Sequence, residues 1–131
     1  MATLTREAIV AVRDIQRELV DVPEWGGEVW VRGLTAAERD AYESGMVKNP
    51  GPNQEFVLDN IRAKLAVKVI CDENGARLFS DADVALLAEK SGSALSRVWM
   101  VARRLSGMTE EAAAALTEQL KNAHSASSLS S

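Results

Sequence analysis

The stretch Val22–Thr35, VPEWGGEVWVRGLT, constrains the fold of this chain more than any other. Val20 and Val22 alternate with Asp21, as in a half-buried strand, and Pro23 ends the run. Gly26 and Gly27 can both take positive φ at low steric cost, so the chain can reverse there. Alternation then resumes, with Val29 and Val31 on one face and Glu28, Trp30 and Arg32 on the other. Glycines beside a tryptophan also suit a ligand site, but no catalytic group accompanies them, and a tight turn explains both. Thr35 and Glu38 follow at the spacing of a capping box, which predicts a helix to about Met46. A hairpin that runs into a helix sets the class: an α+β, mostly helical single domain with one or two small β-hairpins.

The remaining pattern supplies about five helices. Thr5–Gln16 reads as a short one, with Ile9, Val12 and Ile15 at roughly helical spacing. The run KNPGPN, residues 48–53, predicts a loop, because two prolines and a glycine break any regular element. Phe56–Ile70 is the strongest helical pattern, with Leu58, Ile61, Leu65 and Val69 on one face. It passes into a short strand near Val67–Cys71, opposite Arg77–Phe79, across a type I′ turn at Asn74-Gly75. Ser80 caps a helix to about Lys90. Beyond Gly92, the residues Leu95, Val98, Trp99, Ala102 and Leu105 form a second apolar stripe. Gly107 suits a left-handed C-cap there, and Arg103 and Arg104 complement the helix dipole. Thr109 opens an alanine-rich last helix to about Asn122. Residues 123–131 are serine-rich and predict a disordered tail, leaving one domain over residues 1–122.

Charge and cysteine usage narrow the function classes. A length of 131 residues fits one domain, and a net charge of −4 disfavours nucleic acid or an anionic membrane as the main partner. Arg97, Arg103 and Arg104 share a helix but no single face. The only cysteine, Cys71, forbids an intramolecular disulfide and fits a reducing cytoplasm. No apolar run reaches the length of a membrane span, and the first residues lack a secretory pattern.

Residues able to carry chemistry are scarce. His124 is the only histidine and lies in the serine tail, whereas a general base needs a fixed position. Cys71 has no histidine partner, and Asp72 and Glu73 would raise its pKa. One cysteine and one histidine cannot make a zinc cage. DENGARLFSDAD is acid-rich, yet Phe79 and the Ser80 cap interrupt the ligand spacing of a calcium loop. There is no phosphate loop, dinucleotide fingerprint or nucleophile elbow. No cofactor is expected and no enzyme is indicated. A carboxylate-based hydrolase using Asp72, Glu73, Asp81 and Asp83 is the remaining enzymatic alternative.

Two segments carry a family resemblance. VPEWGGEVWVRGLTAAERDAYE resembles the N-terminal signature of small tail assembly chaperones from long-tailed bacteriophages and prophages. VICDENGARLFSDADVALLAEKSGSALSRVWMVARRLSGM is similar, in the same order, to the second half of that family. The resemblance spans about Glu7–Met108. It implies a non-enzymatic protein of the host cell cytoplasm, needed while the tail is built and absent from the mature virion. It further implies binding to the tape measure protein, self-assembly into multimers or spirals, and in many members a longer form made by ribosomal frameshifting. The alternative is a structural tail or head–tail adaptor protein that stays in the virion.

Such a role needs apolar groups to spare. Trp25, Trp30, Met46 and Met100 are the candidate protein-interaction residues, since Trp is favoured at interfaces and Met adapts to varied partners. Trp30 falls on the hairpin face opposite the valines, and Met100 falls off the Leu95–Leu105 stripe. Trp99 lies on that stripe and is expected to pack inward.

Overall fold

A computed structural model of the protein describes residues 3–48, 51–53 and 55–108. In chain order the elements are α1 (Arg6–Ala11), β1 (Arg17–Val22), β2 (Gly27–Arg32), α2 (Ala36–Ser44), β3 (Val47–Lys48), β4 (Glu55–Phe56), α3 (Ile61–Val69), β5 (Ile70–Cys71), α4 (Val84–Ala88) and α5 (Gly92–Leu105). They form a single α+β domain, mostly helical, as the hairpin and the helical stripes predict. The expected last helix over 109–122, the serine tail and His124 lie outside the described residues.

The opening hairpin forms, with β1 and β2 antiparallel in a register that sets Leu19 against Trp30 and Val22 against Gly27. Its turn is a short 3₁₀ segment, Pro23–Trp25, closed by Gly26 at φ 75°. Gly27 belongs to β2, so only one of the two expected glycines uses positive φ. Val31 and Val22 are fully buried and Val29 packs beside them, so this face of the hairpin is the inner one. β5 adds a third strand, with Trp30 against Cys71 and Val31 against Ile70.

α5 covers that inner face, and α3 packs against α5 in the same core. α3 contributes Leu65, Val67 and Val69, and α5 contributes Val98 and Ala102, all essentially inaccessible to water. Each of these leucine and valine side chains stabilises the fold by roughly 1.5–3 kcal/mol relative to leaving it exposed. α5 crosses the sheet closely enough that a Cβ on Gly33 would lie 2.7 Å from the Leu105 carbonyl oxygen. A hydrogen bond from the Leu34 N–H to the Ser106 hydroxyl, 2.9 Å, fixes the same junction. α2 begins with the expected capping box, in which Thr35 and Glu38 bond each other's backbone N–H.

Four expectations change. The helix foreseen over 56–70 starts only at Ile61, after Asn60 adopts a left-handed conformation at φ 55°. Phe56 pairs with Val47 instead, and Val57 donates to the Met46 carbonyl at 2.7 Å, so a second small hairpin precedes the helix. The strand expected to start at Val67 begins at Ile70, because α3 holds its bonds through Val69. The Asn74-Gly75 turn is not type I′: Gly75 alone has positive φ, at 86°, and the Asp72 carboxylate accepts from the Asn74 and Ala76 N–H groups. A side chain that bonds its own turn selects a three-residue loop with the left-handed position last. Finally, the N-terminal helix stops at Ala11, where Val12 turns extended at ψ 134°.

Candidate protein-interaction surfaces

The first surface is the N-terminal arm. Thr5 caps α1 by accepting from the Ala8 N–H at 3.2 Å, which explains where the helix starts. Nothing explains it by packing, since no residue of α1 is buried. Leu4, Ile9, Val12 and Ile15 are exposed, and Val10 is 71 % exposed. Isolated helices this short are marginal in water, and tertiary packing normally supplies what propensity does not. Five aliphatic side chains along one segment exceed what scattered surface exposure explains.

The second surface is the outer face of the sheet. Trp30 lies there, half-buried, on the side opposite Val29 and Val31. Arg17 places its guanidinium 5.6 Å from the Trp30 ring centroid. Leu19, directly across from Trp30, is 43 % exposed. Arg32 ends this face. It is buried and donates twice to Glu38, at 2.9 and 2.7 Å, and once to the Gly33 carbonyl. Burial pushes the Glu38 carboxyl up, but the Arg32 and Thr35 hydrogen bonds outweigh it and hold its pKa below the usual value. Cys71 sits beneath this face, buried, and burial pushes its thiol pKa up, away from the thiolate a nucleophile requires.

The other candidates divide. Trp25 and Met46 are half-buried and pack against the core with the rest of their surface open to solvent. Met100 projects from α5 at 67 % exposure, on the side away from the core. Trp99 is half-buried beneath Arg62 and Arg103, whose guanidinium carbons lie 5.3 and 4.4 Å from its ring centroid. Arg97 and Arg104 bind Glu24 and Glu18 at 2.9 and 2.6 Å, so the arginines of α5 serve their own chain. Leu4, Val10 and Leu19 were not singled out from the sequence. The signal was present, as valines and leucines in segments with few apolar partners of their own, but only burial distinguishes a core stripe from an uncovered one.

Three of the four carboxylates proposed for hydrolysis hold the structure together, and the fourth, Glu73, is exposed on the turn. Asp72 organises its turn, and Asp83 completes a capping box with Ser80. Asp81 accepts from Arg77 and Lys68, bonds that lower its pKa rather than raise it toward that of a general acid. Among the described residues, no three metal-ligating side chains converge. A hollow of about 390 Å³ opens between the arm and the end of the sheet, lined by Val12, Asp14, Ile15, Arg17 and Arg32 among others, with Asp14 as its one carboxylate and no cysteine, serine or histidine.

A protein-family model described as phage tail assembly chaperone matches residues 4–115, most of the chain. No curated protein and no solved structure matches. The matched span includes the exposed arm, the hairpin and both core helices. The chain therefore belongs to the phage tail assembly chaperone family.

Proposed function

We infer that the protein self-associates and binds the tape measure protein, keeping that long helical chain soluble until the tail tube encloses it. The observation that carries this reading is the arm: a capped helix with no buried side chain among the described residues, its aliphatic groups Ile9 and Val10 exposed. An amphipathic target that exposes helix after helix is matched by many copies of a small protein, each offering a weak apolar contact. Repetition then gives avidity that no single contact has. Ordering of α1 against the target makes up for the packing it lacks in the free chain. The protein acts in the host cell cytoplasm and leaves before the virion is complete.

The test is co-expression with a phage tape measure protein. A rise in the soluble fraction of the tape measure supports the reading, and an unchanged fraction overturns it. Mass spectrometry of purified virions addresses departure from the particle. A stoichiometric amount of the chain there favours a structural tail or adaptor role instead.

A further inference from the structure

β1 is an edge strand. β2 pairs with one side of it, and no described strand pairs with the other. The Gly33 N–H donates to the Gln16 carbonyl at 2.9 Å, one residue before the start of the β1–β2 register. Antiparallel pairs alternate between bonded and non-bonded, so Glu18, Val20 and Val22 direct their backbone groups at β2. Arg17, Leu19 and Asp21 direct theirs outward. Trp30, opposite Leu19, pairs with Cys71 on its far side, which obeys the same alternation. This six-residue edge has no proline or lysine, and its outer-face charges, Arg17 and Asp21, are of opposite sign, so they repel a further strand only in registers that set like charge against like.

The side chains of these three residues share the outer sheet face, and their charges are ordered: cation, leucine, anion. Among the described residues neither Arg17 nor Asp21 has an ion-pair partner. Each also faces its own sign across the hairpin, Arg17 opposite Arg32 and Asp21 opposite Glu28. Like charges directly opposed on a sheet destabilise it. An anion beside Arg17 and a cation beside Asp21 would relieve both ends.

A second copy of the chain supplies both at once. The geometry points to a twofold dimer in which β1 pairs antiparallel with β1 of a second copy, Leu19 against Leu19 and Arg17 against Asp21. In that register the outward N–H and C=O groups of all three residues find partners, and the bonded positions coincide with the charge matches. The two three-stranded sheets become one. Leu19 and Trp30 of both copies join into one apolar strip, flanked by the new ion pairs. The patch is self-complementary, as a twofold interface requires. The neighbouring cations of α5, Arg97 and Arg104, are already neutralised by Glu24 and Glu18 and add little repulsion across the dyad. The inference rests on the self-association proposed above and names its surface.

The test uses the full chain. Leu19→Cys, in a Cys71→Ala background, is treated with a short thiol-specific bis-maleimide. Sedimentation is run in parallel on the wild type, Arg17→Asp, Asp21→Arg and the double exchange. Both charged residues are exposed, and circular dichroism verifies that each variant keeps the fold. Expected are a wild type that associates, cross-linking through Cys at position 19, and association weakened roughly tenfold by either single exchange. The double exchange restores it to within about threefold, the behaviour of a directly coupled pair. A wild type that associates, with no cross-link and no response to the exchanges, overturns the β1 interface while self-association stands. A wild type that stays monomeric at every concentration overturns both.

Discussion

α1 and α3 are both short helices rich in aliphatic residues, and they meet opposite fates. In α3, Leu65, Val67 and Val69 are buried in the core shared with α5 and α4. In α1 no side chain is buried, and the flanking Leu4, Val12 and Ile15 are exposed as well. Hydrophobicity alone therefore does not decide which helix builds the core. Position does: α3 leads directly into β5 and is tied to the sheet, whereas an extended segment separates α1 from β1. One helix stabilises the domain. The other buries no side chain among the described residues.

Mutations sharpen that contrast. Leu65→Ala is expected to cost about 2–5 kcal/mol by leaving a cavity in the core, read as a fall in the urea midpoint. Gly33→Ala comes next, at about 1–3 kcal/mol, because the new methyl group meets the Leu105 carbonyl and forces the sheet and α5 apart. Glu38→Gln is expected to cost about 1–3 kcal/mol, since it leaves the Arg32 guanidinium buried without its counter-ion. Acid should reproduce part of that loss. The folded pKa of Glu38 lies below its ordinary value of 4.5, so its contribution is complete above about that pH and disappears as the pH falls through the lowered pKa. Glu38→Gln should flatten that part of the stability profile. Ile9→Ser with Val10→Ser is expected to change stability by less than about 0.5 kcal/mol, since neither side chain is buried. A large loss from that pair would show that the arm belongs to the core after all.

Much of the fold was legible in the residues. The alternation around Gly26, the Thr35–Glu38 capping box and the Leu95–Leu105 stripe each report a local rule, and the structure obeys them. The misreadings come from competition between local rules and pairing at a distance. Leu58 continues the spacing of Ile61 and Leu65, yet it is exposed because Phe56 pairs with Val47 across a loop. Asn74-Gly75 favours a type I′ turn, yet the Asp72 carboxylate captures the turn N–H groups and selects another. The surfaces were less legible than the fold. Trp30 could be placed on the outer sheet face by parity, and Met100 off the helical stripe by angle. The half-buried packing of Trp25 and Met46 against the core depends on distant residues and has no local sequence pattern. The exposure of α1 depends on what fails to pack against it, which no pattern within Thr5–Gln16 records.

The most direct measurement is the soluble fraction of the co-expressed tape measure protein with wild-type chain and with a chain lacking residues 1–12. The deletion spares Gln16, which bonds Gly33, and every buried side chain of the core. The prediction is a truncated chain that keeps its stability while the tape measure loses its protection and precipitates. Equal protection by the truncated and wild-type chains would contradict the role assigned to the arm.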